Sequence, residues 1–328
     1  MLGMLVCGTF SHAETCTTQS QMQPAERDAL ANTARTLAEK LQKNDQAGLR
    51  AATIADFQKD FSGIAGVMAT TAPKLQGADA IVEQVYVLDA SAAAKTGGGA
   101  AADTQFYCTL NKSQAETDFV IPQLPPGRYG FAMVRMEGTS PWRISMLLRQ
   151  EGGAWQLAGL YPKALTAGGH DGLWYWKEAR AMKSSHEPWN AWLYLTEAQT
   201  LLAPASFVSS THLEKLQTEI ASATPPAISG GIGGETPLAV KGADGTEYRF
   251  TSIAVDDSLG KEKADVAAHM KVAQMGNAAA ARKRNVDAMG ALIAAYPELR
   301  KAFHGVWIFA ESAGQSPFAT EQTMTEIH

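Results

Sequence analysis

The 328-residue chain has no long hydrophobic run, few cysteines and no block of charge of one sign. Its most apolar stretches after residue 13, such as 62–73, are shorter than the roughly 20 residues that a membrane helix requires. We therefore expect no transmembrane segment. The 28 Lys and Arg residues and the 33 Asp and Glu residues are interspersed and give a net charge of −5. Without a basic surface, a nucleic-acid partner is not expected.

The sequence also lacks any cluster of residues with the spacing of a metal site or a catalytic constellation. We therefore predict no cofactor, no metal and no catalytic residue from spacing alone. A protein without such a signature is more readily interpreted as a binding or accessory protein than as an enzyme.

The first residues are typical of a secretion signal. Residues 1–10 are apolar and uncharged, and Ser11 and Ala13 are small residues at the two positions read by a signal peptidase before Glu14. This pattern predicts a signal peptide over 1–13 and a periplasmic or secreted bacterial protein. A basic residue normally precedes the apolar core, so we expect the true start to lie upstream. The alternative is a buried N-terminal strand.

Cleavage after residue 13 leaves two of the three cysteines, Cys16 and Cys108. An exported protein meets an oxidising compartment, so these two residues are predicted to form a disulfide. The alternative for Cys108 is an ordinary buried thiol, because it lies in a run of alternating apolar and polar residues.

Residues 24–162 are predicted to form helices followed by a sheet. Pro24 opens a stretch with apolar residues at helical spacing, and a second such stretch ends near Pro73. The period then changes to two, which predicts strands joined by short turns and a curved antiparallel sheet with helices on its concave side. The six runs lie near 81–88, 103–110, 116–121, 129–137, 142–150 and 154–161.

This order of elements, ending in the strand WQLAGLY at 155–161, resembles the cone-shaped family that includes nuclear transport factor and ketosteroid isomerase. The resemblance implies an α+β fold of the cystatin-like cone type over 24–162, with a pocket between sheet and helices. It carries over no catalytic residue, because the acid/base groups of the isomerases have no counterpart here. Tyr86 and Phe131 are predicted to line the pocket, or else to form ordinary core.

The rest of the chain is predicted to contain a helical hairpin plus a helix over 170–222, a linker over 223–237 and a small α+β domain over 238–328. The segment EAQTLLAP, at the end of the hairpin, resembles the end of a single tetratricopeptide repeat. The linker is inferred from its Gly, Pro and Ser content.

Two features of the hairpin are candidates for function. His170 and Asp171 could act as a proton-transfer pair or as metal ligands. The alternative is that Asp171 caps the following helix. Trp174, Trp176, Trp189 and Trp192 could grip a partner, whereas the alternative is that they pack the hairpin against the first domain.

The sequence thus favours an exported, non-catalytic binding or accessory protein of the bacterial envelope. Its partner would be an envelope protein or an apolar small molecule, bound by the cone pocket, by the aromatic hairpin or by both. The alternative is a hydrolase or isomerase that uses His170 and Asp171 beside the cone pocket.

Overall fold

The computed structural model describes residues 14–91, 103–109, 116–260 and 262–328, so the predicted signal peptide lies outside the described residues. Within these ranges the chain is an α+β protein with nine α-helices and four sheets. In the same ranges, no helix combines the length and apolar character that crossing a membrane requires.

The chain divides into two compact units. The first comprises Met1–Ala164 and Ala203–Thr211, and the second comprises Leu165–Leu202 and His212–His328. The interval 223–237, predicted to be a linker, lies inside the second unit and contains the short 3₁₀-helix Pro226–Ile228. The helix pair that follows residue 170 is likewise part of the second unit.

The helices of the first unit begin where its sequence has helix-start signals. In α1, Pro24 occupies the first turn, where a missing N–H costs nothing, and the apolar stripe buries Leu30, Leu37 and Leu41. The four helices are α1 (Pro24–Gln42), α2 (Gln46–Ala51), α3 (Ala55–Lys59) and α4 (Ser62–Thr71).

All six predicted strands are present in the first unit, but they belong to two sheets rather than one. The larger sheet is antiparallel, with the order β1 (Thr15–Thr18), β2 (Asp79–Asp89), β5 (Arg128–Glu137), β6 (Trp142–Glu151) and β7 (Ala154–Ala164). The smaller sheet has the order β10 (Val208–Ser210), β4 (Glu116–Ile121) and β3 (Thr104–Thr109). The single-sheet expectation is corrected because β2 pairs directly with β5, while β3 and β4 pair with each other.

The larger sheet has an apolar core on each face. On one face Leu30 packs so closely that a methyl group at Gly130 would lie 2.6 Å from its Cδ1 atom. The core on the other face contains Phe106, Phe119 and Phe131, all without exposed surface. The side chains of the smaller sheet therefore help to fill this second core.

Cys16 on β1 and Cys108 on β3 lie at disulfide distance, with their Cα atoms 5.3 Å apart. This separation is in the usual range for a disulfide. The pair connects the two sheets of the first unit across 92 residues of chain.

The second unit is built on a five-stranded sheet with the order β11 (Leu238–Lys241), β12 (Glu247–Asp256), β13 (Asp265–Lys271), β14 (Gly305–Glu311) and β15 (Phe318–Thr323). Strands β13 and β14 are parallel, and the connection between them contains α8 (Ala278–Ala295) and α9 (Leu299–Ala302). Asn285 of α8 is fully buried and donates hydrogen bonds to the carbonyl oxygens of Ile308 and Phe318.

Three further helices belong to this unit, α5 (Gly172–Ser184), α6 (Pro188–Leu202) and, from its second residue, α7 (Thr211–Ala223). A two-stranded hairpin of β8 (Thr166–Ala167) and β9 (His170–Asp171) leads into α5. The predicted helical segments are thus present, with boundaries that differ by only a few residues.

Candidate functional site

His170 and Asp171 lie at the N-terminus of helix α5. The Asp171 carboxylate accepts a hydrogen bond of 2.8 Å from the backbone N–H of Trp174, which is the geometry of an N-cap. The imidazole of His170 stacks on the indole of Trp174, with ring centroids 3.6 Å apart. These contacts agree with the alternative that Asp171 caps the following helix.

The four tryptophans of α5 and α6 mostly pack inside the second unit. Trp176 and Trp189 are buried, while Trp174 and Trp192 are half-buried. Trp189 lies 4.5 Å from the ring of Tyr296 and belongs to the core of the second unit. The expectation that the hairpin tryptophans pack against the first domain is therefore corrected, because α5 and α6 contribute them to the core formed with α8, α9 and the five-stranded sheet.

Tyr86 and Phe131 are core residues of the first unit. Phe131 has no exposed surface and Tyr86 is 4% exposed, and the ring of Phe119 lies 5.1 Å and 5.2 Å from theirs, respectively. Burial raises the pKa of the Tyr86 hydroxyl. In this conformation neither side chain presents surface to a ligand, because the neighbouring rings fill the space that a pocket would need.

Helices α5 and α7 form a cleft of about 270 Å³ on the second unit. Its apolar part is provided by Leu173, which is 62% exposed, and by the edge of Trp176. Basic or protonatable side chains provide the rest of the lining, namely Lys177, Arg180, His212 and Lys215. An exposed leucine among cations combines an apolar contact surface with positive charge.

One acidic residue beside the cleft is neutralised by its neighbours. Arg180 donates to both carboxylate oxygens of Glu219, at 2.9 Å and 2.7 Å, and the indole N–H of Trp176 donates to the same carboxylate at 2.8 Å. The hydrogen bond from Arg180 lowers the pKa of Glu219, and the same pair raises the pKa of Arg180. Within the described ranges, the side chains of Lys177 and Lys215 are in no ion pair, although the charge of Lys215 helps to lower the pKa of Glu219. This surface is therefore cationic on a chain of net charge −5.

Sequence reasoning identified only Trp176 of this cleft. Leu173, Trp176, Lys177 and Arg180 lie at helical spacing on one face of α5, and this signal was available in the sequence. The residues that α7 contributes to the cleft could not be identified from the sequence, because the packing of α7 beside α5 depends on the fold of the whole unit.

Two carboxyl groups with raised pKa values, the half-buried Glu197 and the exposed Asp257, form a second polar feature of this unit. Burial, together with the charges of Asp257 and Asp256, raises the pKa of Glu197 to about 7. Burial likewise raises the pKa of Asp257, although a hydrogen bond from the backbone of Gly168 opposes the shift. Glu197 can therefore take up or release a proton near neutral pH, a property that no sequence pattern indicated.

Among the described residues, one group of side chains could hold a metal ion. One ligand atom each of Asp265, His304 and Glu321 lies within 4.8 Å of the other two. The sequence predicted no metal site, because these residues are far apart in the chain and are brought together by the pairing of β13, β14 and β15.

Comparison with protein-family models, with curated proteins and with solved structures gives no match to this chain. The resemblance of 24–162 to the cone-shaped family therefore stays a prediction.

Proposed function

We propose that the chain is an exported, non-catalytic binding protein of the bacterial envelope, and that the cleft between α5 and α7 binds an acidic segment of a partner protein. The observation that carries this proposal is the exposed Leu173 surrounded by Lys177, Lys215 and His212, with Arg180 fixed beside them. An exposed apolar residue flanked by the cations Lys177 and Lys215 favours a ligand that presents a hydrophobic side chain flanked by carboxylates.

The expected contributions of the apolar contact and of the ion pairs to the binding free energy add up to a moderate, salt-dependent affinity. Full burial of a leucine side chain contributes roughly 1.5–3 kcal/mol. Each exposed ion pair with Lys177 or Lys215 adds about 0.2–1 kcal/mol. Long-range attraction to the cationic cleft also accelerates association, and added salt weakens it.

The fates of the other candidate residues support the same proposal. Asp171 caps α5, and His170 stacks on Trp174, so the hydrolase or isomerase alternative gains no observation. Tyr86 and Phe131 are packed as core, so binding of an apolar small molecule by a cone pocket gains none either. Export is supported by the apolar residues 1–10 and by the Cys16 and Cys108 pair, which suits an oxidising compartment.

The test is a binding titration with a short fluorescein-labelled peptide rich in Glu and Leu, followed by fluorescence anisotropy. We expect saturable binding that weakens with added salt and that is reduced about tenfold or more in the double variant Lys177→Glu, Lys215→Glu. Leu173→Asp should reduce binding as well, because it removes the apolar contact and adds a repelling charge.

The matched control is Arg282→Glu, which reverses an exposed charge on α8 of the same unit and outside the cleft. This variant should bind the peptide as the wild type does. Equal loss in Arg282→Glu and in the cleft variants would show that only net charge matters, and a peptide rich in Lys and Leu that binds equally well would contradict the proposal.

A further inference from the structure

We propose that Asp265, His304 and Glu321 bind one divalent transition-metal ion, with Zn²⁺ as the best-matched ion. One ligand atom from each of the three side chains lies within 4.8 Å of the others. The imidazole Nδ1 of His304 and the carboxylate Oδ1 of Asp265 are already 3.0 Å apart. This site is separate from the cleft and does not depend on the function proposed for it.

The three residues are held by the frame of the sheet. Asp265 is the first residue of β13, His304 immediately precedes β14, and Glu321 lies within β15. The backbone N–H of His304 donates to the Ala264 carbonyl at 3.0 Å, and its carbonyl accepts from the N–H of Met324 at 2.9 Å. Ligands fixed on paired strands are positioned more accurately than ligands on loops.

Burial of Asp265 favours a cation at this place. Its side chain is 2% exposed, and that of His304 is 29% exposed. A carboxylate removed from water is destabilising unless positive charge or hydrogen bonds compensate for it. The His304 ring contacts one oxygen of Asp265, and a bound divalent ion would compensate the charge of both carboxylates at once.

The space beside Gly305 brings the same two carboxylates together, next to a backbone carbonyl. A Cβ atom at this position would lie 2.6 Å from the carbonyl oxygen of Gln322, 2.9 Å from Oε1 of Glu321 and 3.2 Å from Oδ1 of Asp265. Gly305 does not have a positive φ angle, so its backbone conformation does not require glycine. The missing side chain leaves a small space on which three oxygen atoms converge, beside a histidine.

The donor set indicates the class of metal. One imidazole nitrogen with two carboxylates suits Zn²⁺, whereas Ca²⁺ and Mg²⁺ prefer oxygen ligands alone. Tetrahedral ligands about 2.1 Å from zinc are about 3.4 Å from one another. The His304 Nδ1 and Asp265 Oδ1 atoms are 3.0 Å apart as a hydrogen-bonded pair, so a bound ion would replace the proton between them and the two atoms would move apart slightly. Three protein ligands would leave one coordination position for water or for a further ligand.

The experiment is a calorimetric titration of Zn²⁺ into tag-free, metal-stripped protein. We expect one saturable site per chain and a higher melting temperature in the presence of Zn²⁺, because a ligand that binds the folded state stabilises it. His304→Ala and the isosteric Glu321→Gln should each weaken Zn²⁺ binding at least about tenfold.

The matched control is Glu311→Gln. Glu311 pairs with His269 at 2.8 Å on the same sheet, but both residues are half-buried and the pair lacks a buried Asp. This variant should keep the Zn²⁺ affinity of the wild type. The proposal is overturned if Zn²⁺ gives no saturable binding, if Glu321→Gln folds and binds Zn²⁺ as the wild type does, or if Glu311→Gln weakens binding equally. Those results would leave Asp265 and His304 as a structural pair.

Discussion

The two units differ in the polar groups that they bury. In the first unit the described buried polar residues carry only hydroxyl groups and are Thr18, Thr53, Thr71, Thr104 and Ser145. In the second unit the corresponding residues include a carboxylate and two amides, those of Asp265, Asn190 and Asn285, and Glu197 has a strongly raised pKa. Buried carboxylates destabilise a fold unless they are compensated, whereas a buried hydroxyl can bond to the backbone.

This difference suggests a structural role for the first unit and a functional role for the second. The first unit has the character of a packed scaffold, with aromatic rings in edge-to-face contact and a cysteine pair between its two sheets. The second unit keeps one buried carboxylate, Asp265, and one half-buried carboxyl group, Glu197, neither of which favours folding. Functional side chains are therefore expected in the second unit, and the following experiments test that division.

The largest expected effect is that of Phe131→Ala in the first unit. Phe131 has no exposed surface and packs against Phe119, so its truncation should lower the free energy of unfolding by about 3–5 kcal/mol. Urea denaturation followed by circular dichroism measures this loss. The control is Tyr107→Ala, which removes a ring that is 58% exposed, and it should cost less than about 0.5 kcal/mol. A cost below about 1 kcal/mol for Phe131→Ala would instead indicate a ring at the wall of an open pocket.

The cysteine pair should give the next largest effect. Cys16→Ser should lower the free energy of unfolding by about 2–4 kcal/mol, because the link closes a long loop in the unfolded chain. Wild-type protein treated with a reducing agent is the control and should lose a similar amount. In a Cys7→Ser background, thiol titration under denaturing conditions should find no reactive thiol. Finding two would contradict the disulfide.

Glu197→Gln should change how stability depends on pH. Burial and two nearby carboxylates raise the pKa of Glu197 in the folded state to about 7, against roughly 4.3 in an unfolded chain. The folded state therefore holds this proton more tightly, so wild-type stability should fall as pH rises from about 4.5 to 7 and then level off. The Gln variant should lack this fall and be more stable than the wild type by about 3–4 kcal/mol at pH 8.

Chemical denaturation at several pH values between 4 and 8 measures this difference. The control is Glu214→Gln, which removes an exposed carboxylate from α7 and should keep the pH profile of the wild type. If Glu197→Gln gives the same stability as the wild type at every pH, the charge of Glu197 does not destabilise the fold. Glu197 would then not support the difference proposed between the two units.

Local patterns were sufficient for most elements of the fold. The period of two predicted β2, β5, β6 and β7. The hairpin between the last two turns at Gly152 and Gly153, which both have positive φ angles. Strand β1 was missed because its sequence, TCTT, has no apolar alternation and is defined only by pairing with β2. The division into two sheets was missed because β4 pairs with β10, which lies far away in the chain.

The candidate sites were predictable only in part. The helix cap at Asp171 has a local cause and was among the predicted alternatives. Asp265 and His304 are 39 residues apart and meet because β13 and β14 are parallel neighbours, a pairing that no local pattern specifies. The cationic cleft likewise needs α5 and α7 side by side.

The smallest expected effect belongs to Asp171, and it distinguishes a cap from a catalytic residue. Removal of an N-cap that bonds to the Trp174 amide should cost about 1 kcal/mol in Asp171→Ala. Asp171→Asn and Asp171→Ser should restore most of that stability, because both side chains can accept the same hydrogen bond. Thermal denaturation of the three variants measures their order of stability. An amide or a hydroxyl cannot replace a carboxylate that is needed for its charge. Equal losses of stability in all three variants would therefore show that Asp171 acts through its charge and not only as a helix cap.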